Sequence, residues 1–566
     1  MAVQLKLSVD ISKEPEAFMT LKRNITKTNL LFLSIGSIVG SGWLFGSFYT
    51  AQIAGPASII SWALGGIFVS IIALTFAELS TMLPISGGSI TYTLMSHGKM
   101  SGSMFSWITW LWSMVVAPIE VQAVLQYSSN YISNLTTRVG TSDTLTAKGL
   151  ILATVLMMAL CVVNVIGVKI MAETNKFVAI WKLIIPIGVA VLLFSGHIHT
   201  SNLTSAGGFS PYGFSGILSG IAIGGVSFSF FGFQTPIFLA GEARNPQKSI
   251  PIALFGSLFF CLLLYAALQL GFILALNPST LASGWHNISF VGDAGPFAGI
   301  FISLGFIFIV KFLYFDAIIS PLGTAVGYTA SASRILYSMS LQGDAPKCLT
   351  KINVFSIPWL AITANFIMGM LFFLPFSGWQ SMVAFLSAAI VVSLACGPIC
   401  LPIFRKHFPN TRRPFLLPYS TLISFLAFYI CNLMLQWTGW NTVWKLDIAI
   451  ILGLVIIFGS HLFYKTDKIQ SLHLKNFVWF VLYMSFSSLL SYLSTFGGGI
   501  GLISMQMDFA VVGISSIIVF IVAQKTALSK EESNKIYMAI MQGHRQIPEG
   551  EETNAPITTC PAQGHL

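Results

Sequence analysis

Four ionisable side chains stand inside long apolar runs of this 566-residue chain: Glu120, Lys182, Lys311 and Asp316. A charge in hydrocarbon is costly, so such groups are retained where they pair, carry protons or meet a ligand. Lys182 lies about two turns into the apolar span 174–195, within Val178-Ala-Ile-Trp-Lys-Leu-Ile-Ile-Pro186. Burial disfavours the charged form of an amine, so a lysine held there can bind and release a proton near neutral pH. The alternative is a lysine that snorkels to the membrane surface, as expected for Lys176. Two other runs are interrupted by small residues. The first carries Gly36, Ser37, Gly40, Ser41, Gly42 and Gly46; the second carries Gly224, Gly225, Ser227, Ser229 and Gly232, followed by Gln234 and Pro236. Each backbone group freed by a broken helix in lipid costs several kcal/mol unless protein, water or a ligand satisfies it, so such breaks line cavities. Close packing of two helices through Gly36 and Gly40 is the alternative, but Ser41 and Gly42 fall off that face.

These residues must be positioned by membrane helices. Charged residues make up 8% of the chain and hydrophobic ones 55%, too little polar surface for a water-soluble globule of this size. A bilayer core is crossed by roughly 20 apolar residues, and about fourteen such spans are read: 30–53, 56–83, 101–128, 148–168, 174–195, 214–240, 251–276, 304–337, 358–376, 379–404, 415–436, 446–464, 476–495 and 508–524. The net charge of +10 suggests a nucleic-acid partner only until the basic residues are placed. With the N-terminus inside, 24 of the 29 Lys and Arg fall on the cytoplasmic face, Arg138, Lys148 and Lys445 fall outside, and Lys182 and Lys311 lie within the membrane. No nucleic-acid partner is expected, and both ends are placed in the cytoplasm.

A polar stretch precedes the first span without a signal-peptide core, which makes the first helix the insertion signal. Seven scattered cysteines predict no disulfide framework, and Cys396 and Cys400 read as packing residues on one helix face. Sequons at Asn134, Asn202 and Asn287 are placed in outer loops. The nine histidines lie mainly in loops and tails, so no catalytic set, metal site or cofactor is expected, which argues against a polytopic membrane enzyme.

The chain divides into a cytoplasmic segment 1–29, five helices over 30–195, five over 214–404, peripheral helices over 415–524 and a cytoplasmic tail over 529–566. The polar composition of the tail predicts disorder. Each five-helix set opens with an interrupted helix, the pattern of an inverted repeat, and paired interruptions mark a transport site at the bilayer midplane.

Four blocks carry a resemblance. They are Ile38-Val-Gly-Ser-Gly-Trp-Leu-Phe-Gly46, Phe76-Ala-Glu-Leu-Ser-Thr-Met-Leu-Pro-Ile-Ser-Gly-Gly88, Phe228-Ser-Phe-Phe-Gly-Phe-Gln234 with Glu242-Ala-Arg-Asn-Pro-Gln-Lys-Ser-Ile-Pro251, and Ala332-Ser-Arg-Ile-Leu-Tyr-Ser-Met-Ser-Leu-Gln-Gly-Asp344. In this order, from about Thr28 to Arg413, they resemble the amino acid-polyamine-organocation transporters. Pro118-Ile-Glu-Val-Gln122 and the segment from Asp316 to Gly323 are similar to the aspartate-proton symporter branch. The resemblance implies an all-α polytopic membrane protein with a LeuT-like 5+5 inverted repeat and added C-terminal helices.

It also implies site residues. Exposed N–H groups at a half-helix N-terminus attract an anion, so Ser41 and Gly42 are expected to bind a substrate carboxylate. Unpaired carbonyls beside each break suit an ammonium group, with Ile38, Gly40, Phe228 and Phe231 at the matching positions and Phe231 and Phe233 as a thin gate. Such a site reads the zwitterion of an amino acid. Lys182 resembles the lysine that replaces a sodium ion in proton-coupled members. Glu120, Lys311 and Asp316 lie on neighbouring helices of that fold, as an ion pair, a proton relay or a contact to a polar substrate side chain. Gln234 departs from the acidic residue many relatives carry, which argues against a cationic substrate. Glu78, Pro84, Glu242, Arg334 and Asp344 are expected to cap, gate or anchor near the cytoplasmic face. The expected function is proton-coupled amino acid symport across the plasma (inner) membrane by alternating access, with exchange through the same site as the alternative.

Overall fold

The computed structural model describes residues 23–545, apart from positions 86, 140–141, 167, 197, 291–294, 354, 356, 377 and 465–471. The N-terminal segment with Lys6, Lys13 and Lys22, the loop lysines Lys465 and Lys468, and the tail beyond Arg545 lie outside the described residues, as do the side chains of Lys169 and Lys176.

The first half holds α1 (Lys27–Ile38), α2 (Gly42–Ala54), α3 (Ser58–Met82), a short α4 (Ser89–His97), α5 (Lys99–Ser128), α6 (Ala147–Ile166) and α7 (Val168–Leu193). The second holds α8 (Gly213–Ile223), the brief α9 (Val226–Phe230) and α10 (Thr235–Phe238), then α11 (Pro246–Ala275), α12 (Pro296–Ser303), α13 (Ile307–Leu341), α14 (Trp359–Phe372), α15 (Gly378–Leu394) and α16 (Cys396–His407). Four further apolar helices follow: α17 (Ser420–Trp437), α18 (Trp440–Tyr464), α19 (Val478–Leu493) and α20 (Met505–Lys525). Among the described residues, ten stretches are long and apolar enough to cross a membrane, and three more apolar helices, Ile180–Leu193, Gly213–Ile223 and Trp359–Phe372, are shorter.

Local chemistry sets several boundaries. The Thr26 hydroxyl accepts the Asn29 N–H and opens α1, as a threonine at an N-cap does. Asn245 in the left-handed region, with Pro246 next, opens α11. α5 is buried along its length and packs against α13 and α15, while α11 packs against α1 and α3.

Three features depart from the sequence reading. A two-stranded antiparallel hairpin, β1 (Thr136–Val139) with β2 (Ser142–Leu145), stands between α5 and α6. Gln126 and Gln122 of α5 donate to the Asp143 side chain and carbonyl at 2.7 and 3.0 Å, which fixes the hairpin on the bundle. The tail was expected to be disordered, yet α21 (Lys530–Arg545) is helical and packs on α4 and α16. Ser533, fully buried, donates to Met95 O, and the Tyr537 ring packs at a tilt against Phe408. Asn202 is buried with its amide donating to the Ile273 and Leu276 carbonyls, so of the three sequons it is not an exposed acceptor.

Both predicted helix breaks are present. The first spans Val39–Ser41, with Gly42 already the first residue of α2. The second is a double break, at Gly224–Gly225 and again at Phe231–Gln234, with only α9 between. Their freed groups are satisfied by side chains from other helices. Tyr265 of α11 donates to Ile38 O (3.3 Å), Lys182 of α7 to Gly36 O (3.3 Å), Thr50 of α2 to Gly224 O (3.1 Å) and Gln380 of α15 to Ile223 O (3.3 Å). The breaks also touch. Gly232 has φ +120°, and a Cβ there would stand 2.5 Å from Ser37 O and 2.7 Å from Ile38 N.

At one end of the bundle, Glu78 at the close of α3 is fully buried. Arg405 grips it bidentately at 2.8 and 2.6 Å, Arg413 reaches it at 3.3 Å, and the Leu417 N–H donates at 2.9 Å. Asp344 after α13 is equally buried and meets Lys99 (3.1 Å), Ser103 (2.8 Å) and His461 (3.2 Å). These two carboxylates anchor helices, as the sequence reading expected. Arg334 is exposed on α13, and the Glu242 carbonyl accepts the Ile25 N–H as the chain before α1 pairs with the chain after α10.

Removing one partner of a buried ion pair strands the other charge and costs about 3–5 kcal/mol. Glu78→Ala should therefore lower the thermal midpoint of the purified protein sharply, and Arg405→Lys, which loses only the fork, should lower it less. Gly232→Ala should cost about 2–5 kcal/mol, because strain and collision with backbone add. An unchanged midpoint in that variant would mean that the two breaks do not depend on this contact.

Candidate functional site

The first break delivers the Ser41 N–H, the first free donor of α2, into the core. Its partner there is the Glu120 carboxylate of α5, at 3.1 and 3.4 Å. The helix end supplies partial positive charge and an unsatisfied N–H, so a carboxylate is well placed. Gly40 makes the approach possible: a Cβ there would lie 2.7 Å from Glu120 Oε1. The Ser41 hydroxyl also acts on Glu120 and accepts from Trp379 Nε1 of α15 at 3.0 Å.

Lys182 is buried on α7. Its ammonium donates to Gly36 O of α1 and makes a short bond to Thr324 Oγ1 of α13, so one cation ties three helices together beside Glu120. It does not snorkel. Asp316, two turns from Thr324 along α13, is fully buried. The indole N–H groups of Trp43 and Trp181 face its carboxyl, and the Lys182 charge also acts on it.

Sequence reasoning placed Lys311 in this cluster, and the structure does not. Five residues at about 100° each set Lys311 roughly 140° around α13 from Asp316, and its side chain is exposed on the outer surface. The buried cation whose charge acts on both carboxylates is Lys182, so the expected grouping of one lysine with two carboxylates exists with a different lysine.

A cavity of about 20 Å³ lies against the two breaks, lined among others by Ile38, Gly40, Glu120, Phe228, Phe231 and Thr324. It has room for little more than one water, so the site is closed. Of the residues expected to contact substrate, Ile38, Gly40, Phe228 and Phe231 line it. Ser41 presents its N–H to Glu120. Gly42 packs on α9, where a Cβ would stand 2.5 Å from Ser229 Oγ. Gln234 turns back on its own break, its Oε1 accepting the Gly232 N–H at 2.8 Å. Phe233 is fully buried and is not among the lining residues; the aromatic side chains at the cavity are those of Phe228, Phe231 and Tyr328.

Sequence reasoning missed three participants. Trp379 packs edge-on against Phe228 and stacks on Tyr49; Tyr265 caps the first break; Thr324 holds Lys182. A tryptophan, a tyrosine and a threonine within apolar helices read as ordinary packing, and only an expected neighbour across the fold would have singled them out. Among the described residues, no group of three or more His, Cys, Asp or Glu is arranged to hold a metal ion.

Comparison with known proteins agrees with this architecture. The chain is 35% identical over 544 residues to the glutamate/serine transporter AimA of Bacillus subtilis, covering 94% of this chain and 99% of that one. It is 33% identical over 511 residues to the aspartate-proton symporter of the same organism, covering 90% and 97%. It is 27% identical over 399 residues to the aromatic amino acid transport protein AroP of Escherichia coli K12, covering 68% and 82%. A family model for amino acid permeases matches residues 29–473. With two broken helices meeting at a closed polar cavity inside a bundle of membrane-length helices, the chain is an integral membrane transporter and belongs to the amino acid permease family.

Proposed function

We propose that this permease is a proton-coupled amino acid symporter that works by alternating access. The observation that carries the reading is Lys182, whose ammonium bridges Gly36 O beside the first break and Thr324 on α13 within the field of the Glu120 and Asp316 carboxyls. A proton gained or lost there changes the link between the broken helix and α13, the two elements that must part for the cavity to open. The names of two relatives, a glutamate/serine transporter and an aspartate-proton symporter, support both the substrate class and the coupling ion.

The architecture proposed is a LeuT-like inverted repeat. α1 to α7 form one set over 30–195 and α8 to α16 the other over 214–404, each opening with a broken helix; α17 to α20 are peripheral additions over 415–524. That arrangement makes fourteen crossings with both termini cytoplasmic, in the plasma (inner) membrane, and the excess of Lys and Arg on one face supports the orientation. In the open state Ile38, Gly40, Ser41, Gly42, Phe228 and Phe231 hold the amino acid backbone, and Gln234 holds the second break in shape.

In proteoliposomes with an acid outer face, the wild type should accumulate L-glutamate or L-serine against a gradient. Lys182→Ala should lose that accumulation while still binding substrate, read as a ligand-induced rise in thermal midpoint. Equal gradient-driven uptake in Lys182→Ala would remove the lysine from coupling. Uptake only into substrate-preloaded vesicles, indifferent to pH, would establish exchange instead.

A further inference from the structure

The N–H of Ser41 is the donor at which an amino acid carboxylate would be held under the reading above, and in this structure it is taken. Its acceptor is the Glu120 carboxylate, 3.1 Å away, on a side chain 1% exposed. Glu120 reaches it over Gly40, where no side chain intervenes. The same carboxylate lines the cavity, which at about 20 Å³ cannot also admit an amino acid. A half-helix end holds one anion well, and a second carboxylate beside the first is disfavoured by like-charge repulsion.

We propose that Glu120 is a tethered stand-in for the substrate carboxylate: ionised, it occupies the seat at the first break, and it yields that seat when a proton neutralises it. The step adds one proton from the aqueous side to the Glu120 carboxylate, giving the neutral acid; the bond to the Ser41 N–H weakens and the substrate carboxylate takes the donor. The charge at the helix end is unchanged, with one carboxylate replacing another, and one proton enters with each substrate. The groups that face Glu120 are consistent with a single titrating competitor. They are the Lys182 ammonium on α7, the Tyr265 phenol on α11 and the Tyr328 phenol on α13. Lys182 is the one cation among them, and it stays fastened to Gly36 O and Thr324 through the exchange.

This inference rests on the symporter reading for the identity of the ligand, but its test reads binding rather than transport. L-serine, whose side chain is neutral, and L-glutamate are titrated against purified protein at pH 6 and pH 8. Wild-type affinity should fall toward about tenfold per pH unit once Glu120 is ionised. Glu120→Gln and Glu120→Ala should bind with little pH dependence, and more tightly than wild type at pH 8. In weakly buffered wild-type protein, a pH-indicator dye should register uptake of about one proton per L-serine bound at pH 8, a readout that needs no variant. PH-independent wild-type binding without proton uptake, or wild-type pH dependence retained in both variants, would overturn the inference and leave coupling to Lys182. Loss of pH dependence in both variants, together with vesicles that ignore a pH gradient, would uphold it and sink symport.

Discussion

Everything at this site follows from one constraint: backbone polar groups inside a membrane protein must be satisfied by the protein itself. An intact helix does this alone. The helices interrupted at Val39–Ser41 and Gly224–Gln234 do not, and their stability has been transferred to side chains on five other elements. Glu120, Tyr265, Lys182, Thr50 and Gln380 each answer one freed N–H or carbonyl. Those same bonds make the site. Under the proposed function, a ligand binds here by taking over a bond the protein already makes to itself, so recognition and helix integrity become one problem.

Lys182 and Glu120 show how charge is afforded in such a place. Neither is paired with its opposite as a simple buried salt bridge. Each is spent on backbone, the lysine on a carbonyl and the glutamate on an N–H, and the field of each supports the other. An arrangement of this kind is sensitive to one proton, because the backbone partners cannot change their own charge. By contrast, the Glu78 and Asp344 clusters at the end of the bundle are saturated by fixed cations and further donors, which suits anchoring. α21 adds to that end, binding through Ser533 to the Met95 carbonyl of α4 and to His407 of α16. It therefore ties the chain between α3 and α5 to α16.

The aromatic side chains at the other face of the cavity are organised by Trp379. It bonds Ser41, meets Phe228 edge-on and stacks on Tyr49, so the first break, the second break and α15 share one residue. Aromatic pairs with offset or edge-on geometry contribute about 0.5–1.5 kcal/mol each beyond burial. A closed state built on several such contacts can be held shut and still reopen, since no single contact dominates.

Much of this was legible in the residue order because it rests on local chemistry. Apolar runs of membrane length, glycine and serine interruptions, and lysine or carboxylate inside hydrocarbon announce themselves without a partner, which is why both breaks and the burial of Glu120, Lys182 and Asp316 could be read from the chain. Partners are set by helix rotation and by which helices meet, and neither is written locally. Lys311 and Asp316 are five residues apart, and only the orientation of α13 decides that one is exposed on the outer surface and the other lies in the core. Trp379, Tyr265 and Thr324 became site residues through contacts spanning 227 to 338 positions or, for Thr324 with Lys182, 142. The tail misled in the opposite direction: a polar composition argues against an independent core, but α21 needs none, because α4 and α16 supply the surface on which it folds. The residue types determined that charge and broken backbone would share the membrane; the tertiary structure alone decided that the first break would be closed by the protein's own carboxylate.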